Sequence, residues 1–357
     1  MSDAVAVEAL SLTLGAFRLK NIDFNLSRGE ILVVLGPNGS GKSVTLETIA
    51  GFHRPDAGRI VVTGRDVTAL PPEHRKIGFV VQNFGLFPHL TVAQNVAIGE
   101  RGKHATDVHI QDLLSYFGIA HLADRAPAEL SAGEKQRVAL ARALASAPDL
   151  FLFDEPFSAL DAETRAQLRM ELKTFLRALA IPAIFVTHDH DEAMALADRV
   201  VMLRDGGIVQ RGTAAEIFNK PVNSFVARFV GVENILAARV ATRFGNLLTL
   251  AFNGQTLHAV APADVQFRDG TAGLAIRAEH VAVSPGTNRA GAAPTDNTLQ
   301  GRIKALRILG PLATVEVECG FSLKAYLLSP QVQAMGLAEG NAVKLQIPAD
   351  AIHVMAE

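Results

Sequence analysis

Gly36-Pro37-Asn38-Gly39-Ser40-Gly41-Lys42-Ser43 fits G-x-x-x-x-G-K-[ST], the pattern of a phosphate-binding P-loop. Its flanks give the pattern weight. Ile31-Leu32-Val33-Val34-Leu35 is an apolar run of strand length, and the residues after Ser43 contain no Gly or Pro before Gly51. Strand, glycine loop and helix is the order the chemistry needs. Successive backbone N–H groups between Gly36 and Val44, all but that of Pro37, which has none, then surround a β-phosphate with the helix N-terminus. Lys42 is placed to neutralise the β- and γ-phosphates, and the Ser43 hydroxyl to ligate Mg²⁺. A chance glycine-rich turn is the competing reading, and the motifs downstream weigh against it. The stretch implies an α/β P-loop domain that binds a nucleoside triphosphate.

A chain of 357 residues has room for two domains, each with its own core. Hydrophobic residues at 49% with 20% charged are ordinary globular composition, which excludes a disordered chain. Residues 1–230 carry 24 basic and 26 acidic side chains, and residues 231–357 carry 10 of each. Neither part has the positive excess of a sequence-independent nucleic-acid binder, so no nucleic-acid partner is expected. Cys319 is the single cysteine, which rules out an intrachain disulfide and suits a reducing compartment. Acidic Asp3 and Glu8 near the start, without a basic flank and apolar core, give no secretory signal. No uncharged apolar run approaches 18 residues, so any membrane connection is expected to pass through a partner.

Taken in order, residues 5–26 read as strands, with Leu10, Leu12 and Leu14 alternating, then Phe17 and Leu19, then Ile22, Phe24 and Leu26. Phe17 sits where an aromatic ring can stack on a nucleobase; a plain core position in a strand is the equal alternative. Gly58 to Gly64 reads as a strand between turns, and Pro71-Pro72 breaks any helix there. Ile77 to Val81 is a further strand ending at Gln82. The Gln82 amide suits Mg²⁺ or an attacking water, and the apolar stretch from Asn83 to Val92 reads as a mobile segment open to an outside partner. On those residues alone a bland surface loop is the better reading. Residues 92–129 are largely helical, with Leu113, Leu114 and Phe117 at helical spacing and Gly118 closing the helix.

Leu130-Ser131-Ala132-Gly133-Glu134-Lys135-Gln136-Arg137 opens another helix, with Ser131 as N-cap and Glu134 completing a capping box. Many helices begin this way, yet a serine and a close-packing glycine at a helix N-terminus also make an anion site. It cannot serve the phosphates of Lys42 without a second protein surface. Leu150-Phe151-Leu152-Phe153 is a continuous apolar run, as in a central parallel strand. It delivers Asp154 and Glu155 to the carboxyl end of the sheet, where open α/β sheets bind ligands. Asp154 suits the Mg²⁺ shell, and Glu155 is placed to orient or deprotonate the attacking water. Ser158-Ala159-Leu160-Asp161 leads into a long helix. Ile181 to Thr187 is a strand ending at His188, a candidate to bond the γ-phosphate. The run His188-Asp189-His190-Asp191 is discounted as a metal site, because its two histidines would need strand-like geometry where a helix starts.

In this order the residues resemble the nucleotide-binding subunit of ATP-binding cassette (ABC) transporters over about residues 8–230. The likeness rests on the P-loop, Gln82, Leu130 to Arg137, Leu152 to Glu155, Ser158 to Asp161, and His188. It implies a RecA-like core in residues 1–230 with a helical subdomain at about 92–148. Ser131-Ala132-Gly133-Glu134 is similar to the family signature Leu-Ser-Gly-Gly-Gln, with Ala132 in place of a glycine and Glu134 of a glutamine. If Ala132 must adopt positive φ, that change costs stability or turnover. The resemblance further implies that two copies sandwich two ATP molecules. Ser131 and Gly133 of one copy then complete the Lys42 site of the other, and Asp161 lies across the same seam. Closure would assemble the water, Glu155 and His188. Gln82 and its loop would pass the motion to integral-membrane permease subunits at the cytoplasmic face of the cell membrane, which a substrate-binding protein supplies. Residues 71–92 and the C-terminal extension look like the importer branch for maltose-type sugars, polyamines, ferric iron, sulfate and molybdate. A soluble cassette acting on DNA or ribosomes is the competing class. Such proteins commonly carry two cassettes, coiled-coil insertions or basic arms, whereas this chain has one P-loop, no heptad run and balanced charge.

From about Asn234 to residue 357 the pattern changes to short strands and turns. Leu247 to Phe252 and Gln255 to Val260 flank Asn253-Gly254, a strong hairpin signal. Thr314 to Cys319 and Phe321 to Leu327 form a second hairpin around Gly320. Ser284 to Thr298 reads as a long flexible connection. Leu274-x-Ile276-x-Ala278-Glu279-x-Val281-x-Val283 parallels Leu345-x-Ile347-x-Ala349-Asp350-x-Ile352-x-Val354. The reading is a small all-β, OB-like barrel of two related halves, similar to the regulatory domains of that importer branch. Gly310-Pro311-Leu312 and Thr314-Val315-Glu316-Val317 look closest to the molybdate/tungstate group. A domain that only widens a dimer interface is favoured over one that senses an anion.

Overall fold

The structure is a computed structural model that describes residues 3–99, 107–158, 160–262, 265–286 and 297–356. Two compact units divide the chain, residues 1–215 and 216–357.

In the first unit, β1 (Val5–Leu14) and β2 (Phe17–Leu26) form a hairpin whose buried residues alternate with exposed ones. β3 (Ile31–Leu35) is buried at every residue and runs into the glycine loop and helix α1 (Lys42–Ala50). β4 (Ala57–Val62) and the short β5 (Arg65–Asp66) complete an antiparallel sheet of order β2-β1-β4-β5. There follow β6 (Ile77–Val80), then helices α2 (Val92–Gly99), α3 (Asp107–Tyr116) and α4 (Ala132–Ala145). Next come β7 (Leu150–Asp154), α5 (Ala162–Leu179), β8 (Ala183–Val186), α6 (His190–Leu196), β9 (Arg199–Arg204) and β10 (Gly207–Gly212).

The second sheet has order β10-β9-β3-β8-β7-β6 and is parallel apart from β10. β3, β8 and the first four residues of β7 show no alternation, because both faces of a central parallel strand are covered. Register then fixes the site. Val34 of β3 pairs with Val186 of β8, and Val186 pairs with Asp154 of β7. The P-loop, the Asp154-Glu155 pair and Thr187-His188 therefore leave three adjacent strands at one level, along the carboxyl edge of the sheet.

The second unit begins inside α7 (Ala214–Asn219) and continues with α8 (Ser224–Phe229). The sequence places the division near residue 230; the structure draws residues 216–230 into the second unit. Arg277 donates to the Phe218 carbonyl, and the His353 ring bonds the Pro221 carbonyl at 2.9 Å. Then come β11 (Asn234–Phe244), β12 (Leu247–Phe252), β13 (Gln255–Val260), β14 (Thr271–Ile276), β15 (Ala282–Pro285) and β16 (Asn297–Leu309). β17 (Leu312–Glu318), β18 (Ser322–Leu328), α9 (Ser329–Ala334), β19 (Ala342–Ile347) and β20 (Ile352–Ala356) finish the chain. Asn253 and Gly254 make the turn of the β12–β13 hairpin with φ of +48° and +76°. Both ends of the expected connection at 284–298 are strand, Ser284 and Pro285 in β15 and Asn297 and Thr298 in β16; residues 287–296 lie outside the described residues.

The sheets β13-β12-β11-β14-β20 and β15-β19-β16-β17-β18 repeat one plan. The two sequence repeats cross over. β14 of the first repeat pairs with β20 of the second, and β15 of the first with β19 of the second. Buried asparagines mark the same point in each half. Asn234 bridges the carbonyls of Ile276 and Lys324 and accepts from the Lys324 N–H. Asn297 does the same with Ile347 and His258. Neither half can close without the other, and a shared apolar core joins Leu248, Leu274, Val315 and Leu345. Removing either amide takes a partner from three backbone groups, one buried and two part-buried. We therefore expect Asn234→Ala and Asn297→Ala each to cost about 2–4 kcal/mol in this unit, read as a lowered second transition in urea unfolding.

Candidate nucleotide-binding site

The P-loop backbone is shaped by contacts that exclude side chains. A Cβ on Gly41 (φ +102°) would lie 2.6 Å from Cζ of Phe17, and one on Gly36 would lie 2.4 Å from the Leu203 carbonyl oxygen. Lys42 is 6% exposed, and its ammonium donates to the carbonyls of Gly36 (2.9 Å) and Pro37 (3.1 Å). Burial holds its pKa below the usual lysine value, against the pull of Glu155 and Asp154. The Ser40 hydroxyl is buried with no partner among the described residues. A glycine cradle, a desolvated cation and an orphaned hydroxyl at the head of a helix are a fit to a polyphosphate. Pro37, Asn38 and Gly39 form the outer turn, and Val44 accepts from the Thr48 hydroxyl inside α1.

Ser43 Oγ donates to Asp154 Oδ1 at 3.1 Å. Burial raises the Asp154 pKa, opposed by that hydrogen bond. A hydroxyl and a half-buried carboxylate side by side are hard oxygen donors of the kind Mg²⁺ takes. Glu155 follows with φ +46°, a left-handed conformation that costs a glutamate on the order of 1–3 kcal/mol. Its N–H is held by the Val186 carbonyl (2.9 Å), and its carbonyl accepts from the N–H and hydroxyl of Ser158. The kink turns its carboxylate to His188, whose Nδ1 lies 2.9 Å from Oε1. His188 is exposed just past β8, and Asp189 caps α6 by accepting from the N–H groups of Asp191 and Glu192. The other Asp189 oxygen faces Arg165 at 3.3 Å, so its carboxylate is committed to structure.

Other sequence expectations land elsewhere. Gln82 is an exposed turn residue after β6 that makes no hydrogen bond to a described residue, so it is not joined to Ser43 or Asp154. The segment after it is tethered, contrary to the mobile reading. Arg142 of α4 donates to the carbonyls of Phe84 and Gly85, and its guanidinium lies over the Phe87 ring. Asn95 of α2 accepts from the Phe87 N–H and donates to the carbonyls of Phe87, Leu90 and Thr91. The sequence reading missed both tethers. Their signal is a polar group on an apolar helix face, Arg142 with Val138 and Ala145, Asn95 with Val92.

Ser131 caps α4 and forms the expected box. Its hydroxyl accepts from the Glu134 N–H, and Glu134 Oε2 accepts from the Ser131 N–H at 2.7 Å and hydroxyl at 2.8 Å. Those bonds hold the Glu134 carboxyl below its ordinary pKa. Ala132 opens the helix and is absent from the positive-φ residues, so the strain expected for it does not arise. A Cβ on Gly133 would meet Thr164 at 3.4 Å, an ordinary contact. Asp161 caps α5, accepting from the Thr164 N–H at 3.0 Å; Ala159 lies outside the described residues. Ser131 and Gly133 line a hollow of about 250 Å³ that no P-loop residue reaches. Phe17 packs its ring edge on Gly41 and the surrounding core, half-buried at the loop.

Comparison with known proteins agrees with this geometry. Residues 19–158 match the ABC transporter family and residues 274–355 the TOBE domain. A molybdate/tungstate import ATP-binding protein of Pyrococcus abyssi is 37% identical over 98% of this chain and 99% of its own. A sulfate/thiosulfate import ATP-binding protein of Chromobacterium violaceum is 39% identical over 98% of this chain and 94% of its own. Among solved structures, a dimeric ATP-binding cassette in a post-hydrolysis state with ADP and Pi is 30% identical at a TM-score of 0.52. That likeness covers 59% of this chain and 98% of the other.

Proposed function

The chain belongs to the ABC transporter family, as an ATP-hydrolysing, energy-coupling subunit of its importer branch, and from that premise we propose that its working site is built by two copies. The observation that carries the reading is the separation of two half-sites. Lys42, Ser43, Asp154, Glu155 and His188 converge at one sheet edge, while Ser131 and Gly133 stand at a hollow without P-loop residues. Gly133 is a glycine that the packing within its own chain does not require, which suits close approach by something outside it. In the proposed dimer the P-loop N–H groups and Lys42 hold the β- and γ-phosphates of ATP. Ser131 and Gly133 of the second copy cover the γ-phosphate, with Asp161 at the same seam. Glu155 takes a proton from the attacking water as the water oxygen bonds to the γ-phosphorus and the bond from that phosphorus to the β–γ bridging oxygen breaks, ADP leaving with the electron pair. His188 positions that carboxylate and bonds the γ-phosphate. Ser43 and Asp154 would hold Mg²⁺, and the Gln82 amide, which the Arg142 and Asn95 tethers do not engage, would join them. When bound, the ion offsets charge on the phosphate oxygens.

A complementation experiment tests the shared site. Lys42→Ala and Ser131→Arg on separate copies leave one intact site in the mixed dimer; on the same copy, mixed with wild type, they leave none. Separate variants are therefore expected to regain ATPase activity on mixing. No activity in the mixture of the two separate variants, each inactive by itself, would show that each chain builds its site alone.

We further propose that the subunit sits at the cytoplasmic face of the membrane, bound through permease subunits that a substrate-binding protein supplies. No described helix is long and apolar enough to cross a bilayer. The tethered Phe87 is exposed on the Gln82 loop and suits contact with such a partner. The cargo we favour is a tetrahedral oxyanion of the molybdate/tungstate class, because the relatives matched along their whole length are named for molybdate/tungstate and sulfate. Uptake by cells carrying the whole transporter, compared across molybdate, tungstate, sulfate, ferric iron, polyamines and sugars, decides it. Preference for any of the last three would overturn the oxyanion reading.

A further inference from the structure

Between α4 and α5 lies a cavity of about 510 Å³, in the size range of small-molecule sites, that contains no P-loop residue. It shares just Arg137 and Leu168 with the hollow beside Ser131. Its walls are apolar and buried: Phe117, Leu140, Phe157, Leu168 and Phe175. Phe117 and Phe175 stand with ring centroids 5.1 Å apart, and exposed Tyr116 and Met170 frame the mouth. Among the polar side chains at this lining, Gln136 alone is buried with the apolar walls. Gln136 of α4 is 0% exposed, and neither Nε2 nor Oε1 has a partner among the described residues. The one ion pair at the cavity is already satisfied within the protein. Arg137 bonds Glu171 at 2.8 Å and donates to the Phe117 carbonyl at 3.1 Å.

Buried amides are ordinarily paired, because desolvating a donor and an acceptor together is costly. A carboxamide offers its N–H and C=O side by side, and the complement is another cis N–H/C=O edge. The aromatic walls call for a flat apolar body, and the internal Arg137–Glu171 pair leaves no counter-ion for a charged ligand. We propose that this cavity binds a neutral planar lactam, its amide edge paired with Gln136 and its ring system against Phe117 and Phe175.

The test uses the full chain and three probes of similar shape in equilibrium dialysis: quinolin-2(1H)-one, its N-methyl derivative and naphthalene. The lactam should bind at least about tenfold more tightly than the N-methyl compound, which keeps the ring and loses the donor. Gln136→Leu replaces both unpaired groups by apolar atoms of similar size, a change expected to leave Tm unchanged or raised. In that variant the lactam should lose its advantage while naphthalene still binds. Leu168→Trp, which fills the cavity and keeps Gln136, should block all three. Equal binding of lactam and N-methyl lactam to the wild type would overturn the proposal without any variant. So would failure of all three to bind, meaning water alone occupies the cavity, or a marked loss of stability in Gln136→Leu, meaning the amide serves the fold.

Discussion

Glu155→Gln is expected to lower ATP turnover about 10²–10⁴-fold while nucleotide binding persists and an ATP-bound dimer accumulates. The amide has the shape of the carboxylate but cannot take a proton from water at neutral pH. The backbone is indifferent to the change, because the left-handed turn at φ +46° is held by Val186 and Ser158 through main-chain atoms and the Ser158 hydroxyl. Dimer formation and turnover thus separate: binding energy still closes the pair, and the step that reopens it is blocked. Phosphate release and size-exclusion light scattering, each with and without ATP, read the two quantities. Turnover at the wild-type rate would remove Glu155 from the role of base. Because the His188 ring touches Oε1 from an exposed position, His188→Ala should cost less than Glu155→Gln. It removes a positioning contact and a phosphate donor but leaves the proton acceptor.

Much of this was legible in the sequence because the decisive elements are local or fully buried. β3, β7 and β8 announce themselves as apolar runs without alternation, and each ends at a residue with chemistry to offer: Gly36, Asp154-Glu155 and, one residue beyond Thr187, His188. The Asn253-Gly254 hairpin falls at the expected strand bounds because its turn chemistry is set by two residues. The repeat at 274–283 and 345–354 was visible as well, though not its crosswise pairing, since strand partners far apart in sequence leave no local mark. The same holds for the tethers on the Gln82 loop, where Arg142 and Asn95 act across tens of residues or from the next helix. Ala132 shows the reverse error. A family pattern with glycine at that position suggested strain, while the helix begins there in an ordinary conformation.

Lys42→Met is expected to abolish ATP binding while leaving the nucleotide-free protein as stable as the wild type or more so. In the free protein the Lys42 ammonium is buried among loop carbonyls, and its pKa is lowered by that burial. A lysine whose folded pKa lies below its unfolded value binds a proton less readily in the folded state. Keeping it charged at neutral pH therefore weakens the fold, a deficit that fades as pH rises through the folded pKa toward the unfolded one. Removing the charge lifts that deficit, so the free variant should not melt earlier. Phosphate supplies what the carbonyls lack, a full negative charge in a site already stripped of water. At ATP one hundred times the wild-type Kd the wild-type domain should gain about 2.7 kcal/mol of stability, and the variant close to none. Paired melting curves with and without MgATP measure both quantities in one experiment. A variant that keeps the ATP-induced rise in Tm would show that the phosphates lie elsewhere. A free variant that melts far below the wild type would show that the ammonium is a structural strut, and would undo the view of Lys42 as a cation held in wait for its anion.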